Sequence, residues 1–211
     1  MFDIEYKGAN AVVITTKKST AVIDPNLSLA GGKNVPVKDA VEIATEDRFA
    51  VSGQSEQLLI EGPGEYEVGD FSIRGIAAQR HIDTPQDEKV STMYRIEVGE
   101  VRIAVLGNIA PKLTEDQQEA IGVIDILILP VGGGGYTLDA TSAATIVRQL
   151  DPKVVIPTHY ADDALKYEVP QDSVEVFTKE LGVSVESLAK VKVKSAASLP
   201  EALTVFQVAK S

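Results

Sequence analysis

Two apolar runs in the second half constrain the fold more than anything else in the chain. They are "ILILP" within "IDILILP" (124–130) and "VVIP" within "KVVIPTHY" (153–160). A strand that is apolar at every position reads as one buried on both faces. The stretch between them, "LDATSAATIVRQLDP", puts Ala143, Ile146, Val147 and Leu150 on one helical face. It begins at a capping Asp139 and ends before Pro152. "PQDSVEVFTKELG" predicts another helix, with Val174, Phe177 and Leu181 inward and Gly182 past its end, and "TEDQQEAIG" a short one capped by Thr114 and stopped by Gly122.

The first 110 residues follow a different rule. "FDIEYKG", "AVVITT" and "STAVIDP" read as a meander. "LSLAGGKNVPVK" is a loop and "DAVEIAT" a short strand. "QLLIEGPGEYEVGDFSIRGIAA" and "DEKVSTMYRIEVGEVRIAVLGN" are strand pairs divided by glycine turns. The tail offers "AKVKVKS" and "ALTVFQVA" as further strands. Strands first, then strands mixed with helices, predict an α/β (α+β) protein: one domain over 1–211, two sheets face to face with helices outside, a four-layer αββα sandwich. "STAVIDPN" and "VRIAVLGN" echo each other as apolar strands ending in a polar turn.

Bulk properties remove several classes of function. The chain has no cysteine, which excludes disulfides, thiolate metal sites and cysteine nucleophiles and fits a cytoplasmic protein. Thirty-one acidic residues against twenty basic ones give a net charge of −11, which repels phosphate backbones and argues against nucleic acid as a partner. "MFDIEYKGAN" lacks the basic start of a signal peptide, and no apolar run is long enough to cross a bilayer, so no membrane is expected. "VGGGGYT" has neither the GxGxxG spacing nor a following Lys-Ser/Thr, and there is no GxSxG elbow for a serine nucleophile.

The order of pieces does point somewhere. A meander ending "IDP", a strand leading into a polar loop, "GPGEYEVGDFSIRGI", a hairpin ending "LG", then "IDILILPVGGGGYT" and "PKVVIPTHY" resembles the metallo-β-lactamase superfamily, in particular its small lactonase-like, Zn-dependent-hydrolase branch. The resemblance runs from about residue 2 to residue 181 and implies the αββα sandwich with a dinuclear metal site between the sheets. The early strand-end aspartate of that family matches Asp24. Its HxHxDH motif aligns with Glu46, Asp47, Arg48, Phe49, Ala50 and Val51, so that Glu46, Arg48, Ala50 and Val51 stand where three histidines and an aspartate are expected. Arginine does not lose its proton, and Ala50 and Val51 carry no donor. The next histidine falls at Arg80 or His81, the bridging aspartate becomes Asn108, and the last histidine is matched by His159.

Three readings follow. In the first, the metal site is degenerate, no cofactor is held, and the cleft at Asp24, Glu46, Arg48, His81, Asn108 and His159, bordered by Gly133, Gly134, Tyr136 and Thr137, is a non-catalytic binding or interaction surface, open to a small anionic ligand among other partners. In the second, Asp24, Glu46, His81 and His159 hold zinc in a remodelled or mononuclear hydrolase site. In the third, Glu46, Arg48 and His159 work as a metal-free acid–base set on a small anionic substrate. Each residue also has a plain role open to it: His159 as a strand-end histidine held by hydrogen bonds, His81 as a loop residue, Asp24 as a turn former before Pro25, and 46–48 as a solvated loop. A guanidinium beside leftover carboxylates, Arg48 or Arg80, is expected to fill the cavity in place of cations.

Overall fold

The meander predicted at the N-terminus forms, and it opens a sheet that later strands complete. The computed structural model describes residues 1–51, 58–84 and 86–211. Strands β1 (Phe2–Gly8), β2 (Ala11–Thr15) and β3 (Thr20–Ile23) are antiparallel, and β4 (Val41–Ile43) and β5 (Leu59–Ile60) then add in parallel. Along β1 the burial alternates strictly, with Phe2, Ile4 and Tyr6 inward, as a sheet covered on one face requires.

The second sheet is built from β6 (Gly64–Val68), β7 (Phe71–Ala78), β8 (Ser91–Val98) and β9 (Val101–Val105), all antiparallel. Parallel strands β10 (Ile126–Pro130), β11 (Val154–Thr158) and β14 (Thr204–Val208) extend it, with β12 (Ser184–Leu188) at its edge. Strand β13 (Val191–Val193) crosses back to pair with β1, so the sheet orders are β13-β1-β2-β3-β4-β5 and β12-β14-β11-β10-β9-β8-β7-β6. β10 and β11 are buried at every position, as their apolar runs predict. Arg102 grips the buried Asp125 through Nε (2.9 Å) and Nη2 (3.1 Å), which ties β9 to the start of β10.

The inner faces of the two sheets share one apolar core that includes Ile14, Ile23, Ile43, Tyr94, Ile103 and Ile128. Each such side chain contributes roughly 1.5–3 kcal/mol when fully buried. A second core lies on the far side of the larger sheet. There α1 (Glu115–Ile121), α2 (Ala140–Leu150) and α3 (Val174–Leu181) cover Ala104, Leu127, Leu129 and Val155. The expected caps are present: Thr114 and Gln117 form a capping box, Asp139 accepts from the Ser142 amide, and Gly182 ends α3 with a positive φ.

The two-sheet sandwich is therefore as expected, but its outermost layer on the smaller sheet is thin. A 3-10 turn at Leu27–Ala30 and the loop through Val35 and Val37, not an α-helix, cover Ala11 and Val22. The reason lies in "LSLAGGKNVPVK": Gly31, Gly32 and Pro36 break any helix before a second turn forms. No helix among the described residues is long and apolar enough to cross a membrane.

Candidate functional site

The C-terminal ends of β3, β4, β9 and β11 converge on one edge of the sandwich, and the β1–β2 turn closes over them. The two echoing strands, β3 and β9, meet here from opposite sheets. The result is a small cleft with about 60 Å³ of room inside it. Of the residues singled out in the sequence, Asp24, Arg48, Asn108, Tyr136 and His159 line it.

Asp24 is buried at the end of β3 in a left-handed conformation (φ 50°) and spends both oxygens on one residue. The backbone N–H of Thr45 donates to Oδ1 and the Thr45 hydroxyl to Oδ2, each at 2.7 Å. Burial pushes its pKa up to about 7, against the pull of the Thr45 bonds. Thr45 immediately precedes the six residues that align with HxHxDH, so Asp24 sets where that loop leaves the sheet. Gly107 crowds the same point. Its φ is 62°, and a side-chain carbon there would stand 2.7 Å from Thr45 Oγ1.

The loop itself is held by groups on neighbouring strands and turns. Asn26 donates from Nδ2 to the Arg48 carbonyl (2.8 Å) and from its backbone to the Phe49 carbonyl (3.0 Å). The fully buried Glu42 accepts from the Val51 amide at 2.6 Å. Within the loop, Arg48 meets Glu46 edge-on, Nε to Oε2 at 2.9 Å and Nη2 to Oε1 at 3.3 Å, and its guanidinium lies 4.8 Å from the centre of the Phe49 ring. Glu46 is 4% exposed and Arg48 37%. Burial raises the Glu46 pKa while the Arg48 charge lowers it. Glu46 is thus a buried carboxylate behind the cleft wall, and its partner faces the cleft. The expected guanidinium in the cavity is Arg48. Arg80 does not line the cleft; it holds Asp83 through Nε (3.0 Å) and Nη2 (2.8 Å), and its charge also lowers the Glu46 pKa.

On the opposite wall Asn108 Oδ1 accepts from Asn10 Nδ2 at 3.1 Å, and its carbonyl accepts from the His81 backbone at 2.9 Å. His81 itself does not line the cleft, and its Nδ1 is buried without a partner among the described residues. His159, at the end of β11, takes a left-handed φ of 48° and donates its backbone N–H to the Ala9 carbonyl at 2.7 Å. Its ring packs against Tyr167 with centroids 4.7 Å apart and planes tilted by 43°, and Nδ1 meets Gln171 Oε1 at 3.2 Å. Because Gln171 Nε2 is bound to the Val169 carbonyl, Oε1 is the acceptor, Nδ1 carries the proton, and the lone pair stands on Nε2. Burial lowers the His159 pKa to about 4.

The glycine loop contributes Tyr136 at the cleft mouth, where Glu168 beside it raises the phenol pKa. Thr137 lies fully buried, its hydroxyl donating to the Gly133 carbonyl, while Gly133 and Gly134 turn the chain with positive φ and stay off the cleft wall. Among the described residues, no three His, Cys, Asp or Glu side chains are grouped to hold a metal ion. Sequence reasoning missed Asn10, Asn26, Tyr167 and Gln171. Asn10 had one usable signal, its place in the "GAN" turn between the first two strands. Tyr167 and Gln171 sit in a loop with none.

A beta-lactamase superfamily domain profile matches residues 3–159. The chain belongs to the beta-lactamase superfamily. It is 31% identical over 137 residues to a UPF0173 protein of Pyrococcus furiosus, across 61% of this chain and 60% of that protein, so the chain covers less than two thirds of that relative's length. Among solved structures, a proposed Zn-dependent hydrolase of the metallo-β-lactamase superfamily from Thermotoga maritima superposes with a TM-score of 0.74 at 22% identity, covering 99% of this chain and 100% of the other. Igni18, a metallo hydrolase from Ignicoccus hospitalis, gives 0.60 at 16% identity, covering 98% and 95%. The metallo-β-lactamase fold protein YhfI of Bacillus subtilis gives 0.60 at 9% identity, covering 99% and 97%. At these identities the likeness to solved structures carries the fold, which is the metallo-β-lactamase fold.

Proposed function

We propose that this superfamily member has a degenerate metal site and works without metal as a binding protein for a small anionic ligand in its cleft. The observation that carries the reading is the Arg48–Glu46 pair, which occupies two positions the family motif gives to histidines. A guanidinium there has no lone pair for a cation and adds its own charge against one. The remaining donors are committed elsewhere: Asp24 to Thr45 through both oxygens, Asn108 Oδ1 to Asn10. The donor set does not fit a dinuclear centre, nor the three fixed ligands and open position of a mononuclear catalytic zinc. His81 and His159 do not rescue it, since His81 stands off the cleft wall.

Anion binding follows from Arg48 itself. Its Nε–Nη2 edge faces Glu46, so the Nη1 end is left for a carboxylate or phosphate oxygen. The competing reading, a metal-dependent hydrolase with a remodelled site, draws on what the Thermotoga maritima and Ignicoccus hospitalis proteins are described as. Two assays separate them. Phosphate should raise the melting temperature of the wild-type protein and not of Arg48→Met, and zinc-supplemented protein should turn over no member of a panel of esters and lactones above the blank. Zinc-dependent turnover would establish the hydrolase instead.

A further inference from the structure

We infer that the chain pairs with a second copy of itself along β12, antiparallel, about a two-fold axis through Val185, so that the larger sheet runs on from one copy into the next. This surface is separate from the cleft and does not rest on the anion-binding reading.

A bare sheet edge invites another strand, and folded proteins guard their edges with charge, proline or brevity. Four strands stand at sheet edges here. β5 is two residues long. β13 carries Lys192 and is flanked by Lys190 and Lys194, while β6 follows Pro63 and exposes Glu65 and Glu67. β12, "SVESL", has five residues, neither proline nor lysine, and an unbroken register against β14 from Ser184–Thr204 to Leu188–Val208. Ser184, Val185, Glu186 and Ser187 are all exposed.

The ladder decides which backbone groups this edge offers. The Leu188 carbonyl accepts from the Ala209 amide at 2.8 Å, so in that register the N–H and C=O of Ser184, Glu186 and Leu188 turn toward β14. Those of Val185 and Ser187 turn outward and meet no partner among the described residues. A copy rotated about Val185 supplies the complement. The two Val185 residues then exchange both backbone hydrogen bonds. Ser184 of each copy stands opposite Glu186 of the other, a hydroxyl donor facing a carboxylate. Moving the axis one residue, to Glu186, would set two carboxylates directly opposite each other, which is destabilising. The edge is self-complementary at the Val185 register, and that selects a second copy as its occupant.

Sedimentation equilibrium on the full chain, over a concentration series up to its solubility, tests the pairing. The mass should pass from 22.5 kDa to twice that and stop there, because a two-fold pair uses up both β12 edges. Added salt should tighten the pair, since each copy carries a net charge of −11. Val185→Pro removes an outward N–H that no ladder bond uses, so it should abolish the dimer with little change in melting temperature. Val185→Lys keeps that N–H but sets two ammonium groups opposite each other; it should weaken association about fivefold or more, and it carries the test should the proline variant fail to fold. The chain has no cysteine, which makes the register readable: Val185→Cys should form an intermolecular disulfide on oxidation with diamide, and Glu186→Cys should not. A protein that stays at 22.5 kDa throughout the series, a dimer that the Val185 variants leave unchanged, or cross-linking through Glu186→Cys in place of Val185→Cys would overturn the inference.

Discussion

Asp24 accepts both hydrogen bonds that Thr45 can donate, from the backbone and from the hydroxyl, at 2.7 Å each. The contact joins the end of β3 to the loop after β4 and fixes where that loop leaves the sheet. Asp24 is therefore a positioning residue for the loop that carries Glu46 and Arg48.

Its ionisation gives the first prediction. Asp24 is raised from 3.8 to about 7 in the folded chain, so between those values the folded state binds more protons than the unfolded one, and stability falls as pH rises through that window. His159 is lowered from 6.5 to about 4, so between 4 and 6.5 the unfolded state binds more protons, and stability rises with pH. The two slopes oppose each other between about pH 4 and 6.5. Asp24→Asn removes the falling slope and should gain on the wild type as pH rises, by about 4 kcal/mol at most between the two ends of the window. His159→Gln removes the rising slope and should gain on the wild type as pH falls, by about 3 kcal/mol at most. Urea unfolding at pH 4.5, 6 and 7.5 reads both; pH-independent differences would refute the assignment.

Arg48→Ala should strip Glu46 of its partner while leaving the carboxylate buried. The expected loss is about 2–4 kcal/mol, below the range for a fully buried pair because the guanidinium is partly solvated. Glu46→Gln,Arg48→Met together should cost less than Arg48→Ala alone, since no charge is then left unpaired. A double-mutant cycle in denaturant checks the order.

Gly107→Ala should destabilise the fold by about 2–3 kcal/mol, because the new methyl group meets Thr45 at 2.7 Å and the backbone sits at φ 62°. Gly99→Ala makes a control: it shares the positive φ, but its new carbon meets nothing within 4 Å, so its cost should be about 1 kcal/mol. Equal melting temperatures for the two variants would show that Gly107 is not crowded against the Asp24–Thr45 contact.

How much of this was legible in the sequence depends on where each side chain sits. Asp24, Asn108 and His159 end apolar strands, and a strand end has a predictable address, so their convergence could be read from "VIDP", "VLGN" and "IPTHY". Asn10, Asn26, Tyr167 and Gln171 belong to turns and loops whose position is set by packing, such as the 2.7 Å bond from His159 to the Ala9 carbonyl, and no local pattern encodes that. Strand β12 was missed for a related reason: "SVESL" lies mostly exposed on the sheet edge and lacks the apolar alternation by which strands are recognised. His81 was drawn toward the cleft by the family motif, whereas the structure holds its backbone on Asn108 and keeps its ring off the wall.

The most direct test of the metal-free account is the zinc content of protein purified without chelator and dialysed, read by elemental mass spectrometry alongside a melting curve with added Zn²⁺. With Arg48 on Glu46 and Asp24 on Thr45, the protein should carry well under one equivalent of any transition metal and show no rise in melting temperature. A ligand that binds the folded state alone must raise it. One or two equivalents of zinc surviving dialysis, with a higher melting temperature on adding more, would contradict the account and make the cleft a metal centre.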